Sequence, residues 1–207
     1  YNSGDFKGAG AIVQSLPKAF AKADYIVVPS GSCAAMLRTH LPQLVDANET
    51  GSGQAGLDFA GKSWELAAFL VEVMQFSLPD RTSPALPLNY TYHDSCSGLR
   101  ELKIKSAPRN LLDQIKGCTR HEMEQAEICC GFGGTFCVKY PELSEHMLDR
   151  KLESIAQTKA NTVLAGDLGC LMNMAGRARR IGLQLEFRHY AEILADLADI
   201  PAIGAAQ

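Results

Sequence analysis

Two adjacent cysteines, Cys129 and Cys130, sit in the run Cys129-Cys130-Gly131-Phe132-Gly133-Gly134. Cys96 lies 32 intervening residues upstream, in His93-Asp94-Ser95-Cys96-Ser97-Gly98. Cys170 lies 39 intervening residues downstream, in Asp167-Leu168-Gly169-Cys170. Four thiols on three separate loops form the donor set of a soft metal centre, which suits an iron–sulfur cluster, zinc or Cu(I). The C-x2-C pairing of zinc ribbons is absent, and this favours iron over zinc. Cys96, Cys129, Cys130 and Cys170 are therefore the expected ligands of a [4Fe–4S] cluster, with zinc as the alternative occupant. The competing reading is a group of buried structural thiols.

The residues around these cysteines have their own expected roles. Gly131, Gly133 and Gly134 supply tight turns and backbone N–H groups that can hydrogen-bond to sulfur. His93 and Asp94, just before Cys96, are candidate outer partners of the ligands or a proton relay, and a strand-end His packed on a sheet is the bland alternative for His93. Cys33, in Pro29-Ser30-Gly31-Ser32-Cys33, sits after a strand as Cys170 does, and is expected to be a ligand of a second, incomplete site. Met36 and Asn173 stand where a further cysteine would complete C-x2-C with Cys33 and Cys170. Cys137 is near the Gly-rich loop, and Cys118 has no motif around it. Asp167 reads as a helix cap. The Gly131–Gly134 run lacks the Lys-Ser/Thr of a phosphate loop, and Phe136 stands at the third-glycine position of a dinucleotide fingerprint, so both nucleotide readings are weak. Arg177, Arg179 and Arg180 read as a solvated helix face.

Bulk composition narrows the class. The 207 residues are 46% hydrophobic and 21% charged, as in an ordinary globular protein. A formal charge of −3 gives no footprint for nucleic acid or an anionic membrane. Apolar stretches such as 67–73 are too short to span a bilayer. Seven cysteines cannot all pair within one chain, which points to a reducing compartment, the cytoplasm. The opening Tyr1-Asn2-Ser3-Gly4 reads as the start of a fragment.

Short strands alternate with helices. Helix is expected at 10–22, 34–41, 62–76 (with Trp64), Pro108 to about Lys116, from Pro141 with Met147, Leu148, Leu152 and Ile155 inward, and 189–198. Strands are expected at 25–28, 89–93, 162–165 and 184–187, and Cys170 opens a further helix. A Gly-rich loop covers Gly51–Gly56, and the Pro-rich 77–88 (Pro79, Pro84, Pro87) is the linker. An offset of 137 residues superposes Cys33 on Cys170, and Trp64–Ala68 resembles Ala191–Ala195. The fold is therefore read as α/β: two repeated Rossmann-like lobes with short, mostly parallel sheets flanked by helices. The first lobe, 1–80, is incomplete, because the counterpart of Cys130 would fall before Tyr1; the second, 81–207, is complete. In such sheets ligands gather beyond the carboxyl ends of strands.

The three cysteine motifs, in order, resemble the cysteine-rich CCG-domain family, and Pro29–Cys33 resembles its first repeat. The likeness covers essentially the whole chain. It implies two CCG repeats, iron–sulfur binding and electron transfer, as in the iron–sulfur subunits of L-lactate and glycolate oxidising complexes and the cysteine-rich subunit of heterodisulfide reductase. It implies partner iron–sulfur and other subunits of a lactate-oxidising complex. No flavin or nicotinamide motif is present, so the hydride step is expected in a partner. A thiol–disulfide redox site and a structural zinc docking module are the competing functions.

Overall fold

The computed structural model describes residues 1–46, 53–79 and 87–205. Its elements run α1 (Phe6–Val13), α2 (Leu16–Ala19), β1 (Ile26–Val28), α3 (Gly31–Ala35), α4 (Leu41–Asp46), α5 (Gly53–Lys62), β2 (Ser63–Glu65) and α6 (Leu66–Ala68). There follow β3 (Leu88–His93), α7 (Cys96–Arg100), α8 (Ser106–Leu112), β4 (Cys118–Arg120), α9 (Thr135–Lys139) and α10 (Pro141–Ala156). The chain closes with β5 (Thr162–Ala165), α11 (Leu168–Arg180), β6 (Glu186–His189) and α12 (Tyr190–Leu194). Wider π-helical turns, Met36–His40 and Phe69–Val73, continue α3 and α6.

The α/β expectation holds. Strands β1 and β2 form a parallel pair, and β4-β3-β5-β6 form a four-stranded parallel sheet. Parallel sheets are covered on both faces, and β5 accordingly is buried at all four positions. On one face Tyr90, Tyr92 and Leu164 pack with Leu111 and Leu112 of α8 and Tyr190 of α12. On the other, Val163, Ala165 and Phe187 pack with Leu148, Leu152 and Ile155 of α10 and with α11, and Cys130 and Cys170 belong to this cluster. A third cluster holds Val13, Ile26, Leu41, Leu44 and Phe59 around β1.

Several sequence expectations shift. Trp64 is on a strand, not in a helix: Ser63 and Glu65 are buried, and Ser63–Glu65 pair with β1. The helix starts only at Leu66, because the Glu65 carboxylate accepts from the N–H groups of Ala67 and Ala68 (2.8 and 3.2 Å). A helical apolar period cannot report a three-residue strand fixed by its neighbour. Gly53–Gly56 is helical, while 51–52 and Pro84 lie outside the described residues. The last strand begins at Glu186 rather than Gln184, and its helix is only Tyr190–Leu194.

The 137-residue offset places β1 on β5 and the cap of α3, Ser30, on the cap of α11, Asp167. The second correspondence is different from the expected one. Val28 pairs with Glu65 as Ala165 pairs with His189, so Glu65 matches His189, not Glu192; both are helix caps.

The two sheets are tied by specific polar contacts. Tyr190, fully buried, donates its hydroxyl to Glu65 Oε1 at 2.7 Å, and Ala67 packs in the same cluster. Hydrogen bonds to a charged acceptor contribute about 1.5–3 kcal/mol. Tyr190→Phe should therefore lower unfolding free energy by about 1.5–3 kcal/mol in urea, with an unchanged denaturant slope. A change well under that range would remove this bond as a tie between the sheets.

Candidate metal centre

The candidate ligands gather beyond the carboxyl ends of parallel strands. Cys96 opens α7 just after β3, and Cys170 is in the first turn of α11 after β5. These positions are helix starts rather than loops, and for Cys170 the N-terminal end of a 13-residue helix favours negative charge. Cys129 and Cys130 lie in the connection between β4 and α9.

The four thiols lie close enough to shift one another's ionisation. The Cys129 sulfur accepts from the thiols of Cys130 and Cys96 and from the Gly131 N–H, 3.4 Å away. These bonds, the one from Cys130 first, pull the Cys129 pKa down to about 2. Cys96 is pushed up by its bond to Cys129 and then by burial. Cys130 is pushed up by its bonds to Cys129 and Cys170. One thiolate thus serves as the acceptor for its neighbours. Cys130 and Cys170 are buried; Cys96 and Cys129 are half-buried.

The Cys-Cys loop is held by two helices. Ser144 of α10 donates to the Gly131 carbonyl at 2.7 Å. Lys151, also on α10 and fully buried, donates to the carbonyls of Gln125 and Ala126, the latter at 3.1 Å. Burial lowers its pKa to about 8, and the thiols and Asp94 nearby oppose that fall. Asn173 of α11 donates to the Cys130 carbonyl at 3.0 Å. Gly131 has φ 78°, and a Cβ there would come within 2.4 Å of the Ser144 carbonyl oxygen, so the loop accepts only glycine.

The outer residues divide. His93 is fully buried, and its side chain lies with Cys130 and Cys170, the three potential donor atoms all within 4.8 Å of one another. Burial, with the Lys151 charge close by, brings its pKa down to about 3, so the imidazole is neutral. Asp94 turns away from the thiols: Arg109 donates to both its oxygens, at 2.7 and 2.9 Å, and also to Glu122. Asp94 braces the β3–α7 turn against α8. Asp167 caps α11 through Gly169 (3.2 Å) and also accepts from the Ser32 N–H of α3 (3.0 Å). Arg177 joins α11 to Asp149 and Glu145 of α10, a bridge rather than a solvated face.

The remaining cysteines stand apart. Cys33 is exposed in the first turn of α3. Cys137 donates to the Gly134 carbonyl at 3.1 Å. Cys118 is on β4, where burial pushes its thiol up to about 11.

The cysteine-rich domain family (CCG) matches residues 90–175, a span that contains Cys96, Cys129, Cys130 and Cys170. Over 194 residues the chain is 42% identical to lactate utilization protein A of Geobacillus thermodenitrificans, covering 94% of this chain and 79% of that protein. The chain belongs to the lactate utilization protein A family. It is also 40% identical to the family members of Oceanobacillus iheyensis (94% and 78% covered) and Bacillus pumilus (94% and 79%).

In this family member, sequence reasoning missed Lys151, Arg109 and the positioning role of Asn173. A lysine and an arginine on amphipathic helices read as surface charges; only Asn173, at the C-x2-C place, carried a sequence cue.

Two measurements check this geometry. Asp94→Ala leaves the Arg109 guanidinium buried with one partner fewer and should cost about 3–5 kcal/mol in urea unfolding; a cost below about 1 kcal/mol would show the pair to be incidental. In metal-free protein at about pH 6, limited alkylation should mark Cys129 before Cys118 by peptide mass spectrometry, because the thiolate is the reactive form. The reverse order would remove the thiolate from Cys129.

Proposed function

We propose that Cys96, Cys129, Cys130 and Cys170 hold an iron–sulfur cluster, with [4Fe–4S] the expected form. We further propose that the chain is an electron-transfer subunit of an oxidoreductase complex that oxidises a 2-hydroxy acid, L-lactate. The observation that carries the reading is the meeting of four thiols from three segments at the carboxyl ends of β3, β4 and β5. The donor set is soft, and beside it lies a buried imidazole with no hydrogen-bond partner among the described residues, so the residues fit such a group. The name of the relatives supports the substrate. When bound, the cluster supplies one-electron chemistry at a potential set by charge, hydrogen bonds and exposure.

The chain's own residues do the rest. Buried Cys130 and Cys170 would hold the group from the protein interior, and half-buried Cys96 and Cys129 would hold it from the side nearer the surface, where a redox partner could approach. The Gly131 N–H on the Cys129 sulfur and the fixed Lys151 charge offset thiolate charge. In this reading residues 1–80 and 81–207 are two CCG repeats, and Cys33 belongs to the site of the first. Hydride removal from the hydroxy acid falls to a partner subunit, the partners are iron–sulfur and other subunits of a lactate-oxidising complex, and the complex works in the cytoplasm. No helix among the described residues is long and apolar enough to cross a membrane.

The low pKa of half-buried Cys129 favours a second reading, thiol–disulfide exchange at the same cysteines. Metal and acid-labile sulfide analysis of anaerobically purified protein separates them. Iron and sulfide in equal amounts, lost in Cys129→Ser/Cys130→Ser, is the expected result. Zinc alone, or no metal after anaerobic reconstitution, would overturn the cluster; rapid reaction of that metal-free protein with a disulfide would then support exchange.

A further inference from the structure

His93 ends β3, and strand alternation turns it away from Tyr92 to the face that carries Cys130 and Cys170. It is 0% exposed, and neither ring nitrogen has a hydrogen-bond partner among the described residues. A buried polar group left unpaired costs about 1–3 kcal/mol, so native side chains rarely accept this state without a reason. Two other histidines at strand ends behave ordinarily: His121, just after β4, bonds Asn89 at 3.1 Å, and His189 bonds the Pro29 carbonyl at 3.0 Å and the Ala191 N–H at 3.1 Å. His93 instead brings a nitrogen into a group with the Cys130 and Cys170 sulfurs, all within 4.8 Å of one another. At metal–nitrogen and metal–sulfur bonds of about 2.0–2.3 Å, a nitrogen and a sulfur reach the same iron from no farther apart than about 4.6 Å, so a small inward shift brings the imidazole to the iron that either thiol would hold.

We propose that His93 is itself a metal ligand of this centre, binding one iron through a ring nitrogen in place of one of the two thiols beside it, Cys130 or Cys170, so that the cluster keeps four protein ligands. The proposal rests on the cluster reading given above. An imidazole carries one negative charge fewer than a thiolate, and nitrogen ligation raises cluster potential, as in Rieske centres. The site would therefore accept an electron more readily than an all-thiolate one.

Pulsed electron paramagnetic resonance of the full chain, loaded anaerobically with iron and sulfide and then reduced, tests this. The expected result is a directly bound nitrogen whose coupling changes on 15N-histidine labelling and disappears in His93→Gln, with the midpoint potential displaced from wild type. If labelled wild-type protein holds iron and sulfide but shows no such nitrogen, His93 is a core residue and the proposal falls while the cluster reading stands. If the wild-type chain retains no iron and sulfide, or zinc alone, both fall. The labelled native chain decides even where His93→Gln fails to fold.

Discussion

The site depends on a buried ammonium. Between β4 and α9 the chain carries Cys129 and Cys130 through a stretch with little regular structure, so its backbone carbonyls must find donors elsewhere. Lys151 supplies them, reaching from the middle of α10 to Gln125 and Ala126, with Met123 sulfur at 3.8 Å. Burying a charge costs several kcal/mol unless it is well paired. The loop and the lysine therefore satisfy each other: the loop's carbonyls make the charge tolerable, and the charge fixes the loop. The sulfurs beside it gain a positive neighbour that does not move with solvent.

Around that anchor, the fold gives each sulfur a rigid base. Parallel strands end together, and the helices that follow start at the same level, so residues far apart in sequence arrive at one place. The Arg109–Asp94–Glu122 network holds the turn before Cys96, Asp167 holds the turn before Cys170, and Ser144 and Asn173 hold the pair between them. The cysteines are the chemistry, but their separation is set by these hydrogen bonds.

Much of this was legible in the sequence. The β-branched and aromatic run before Cys96, the buried run Thr162–Ala165 and Pro141 at a helix start all carry local cues, and each produced its element. The cysteine spacing singled out the donor set, because four thiols on three separate loops suit a soft metal centre. What stayed hidden depends on tertiary partners. Ser63–Glu65 is a strand only because β1 lies beside it. Lys151 looks like any helix-surface lysine until the loop folds over it. His93 was visible as a neighbour of Cys96, but its lack of hydrogen bonds belongs to the packed sheet face alone.

The shared carboxylate of Asp167 has a consequence for descent. It caps its own helix and reaches the start of α3, while the corresponding cap, Ser30, leans on it at 3.3 Å. If the halves arose from one ancestral copy, the ancestor needed only to cap itself. Here one half lends a group to the other, as Glu65 does in taking the Tyr190 hydroxyl. Removing either side of these contacts would strand a polar group on the other, so the two sheets depend on each other even where the chemistry beside one of them changes.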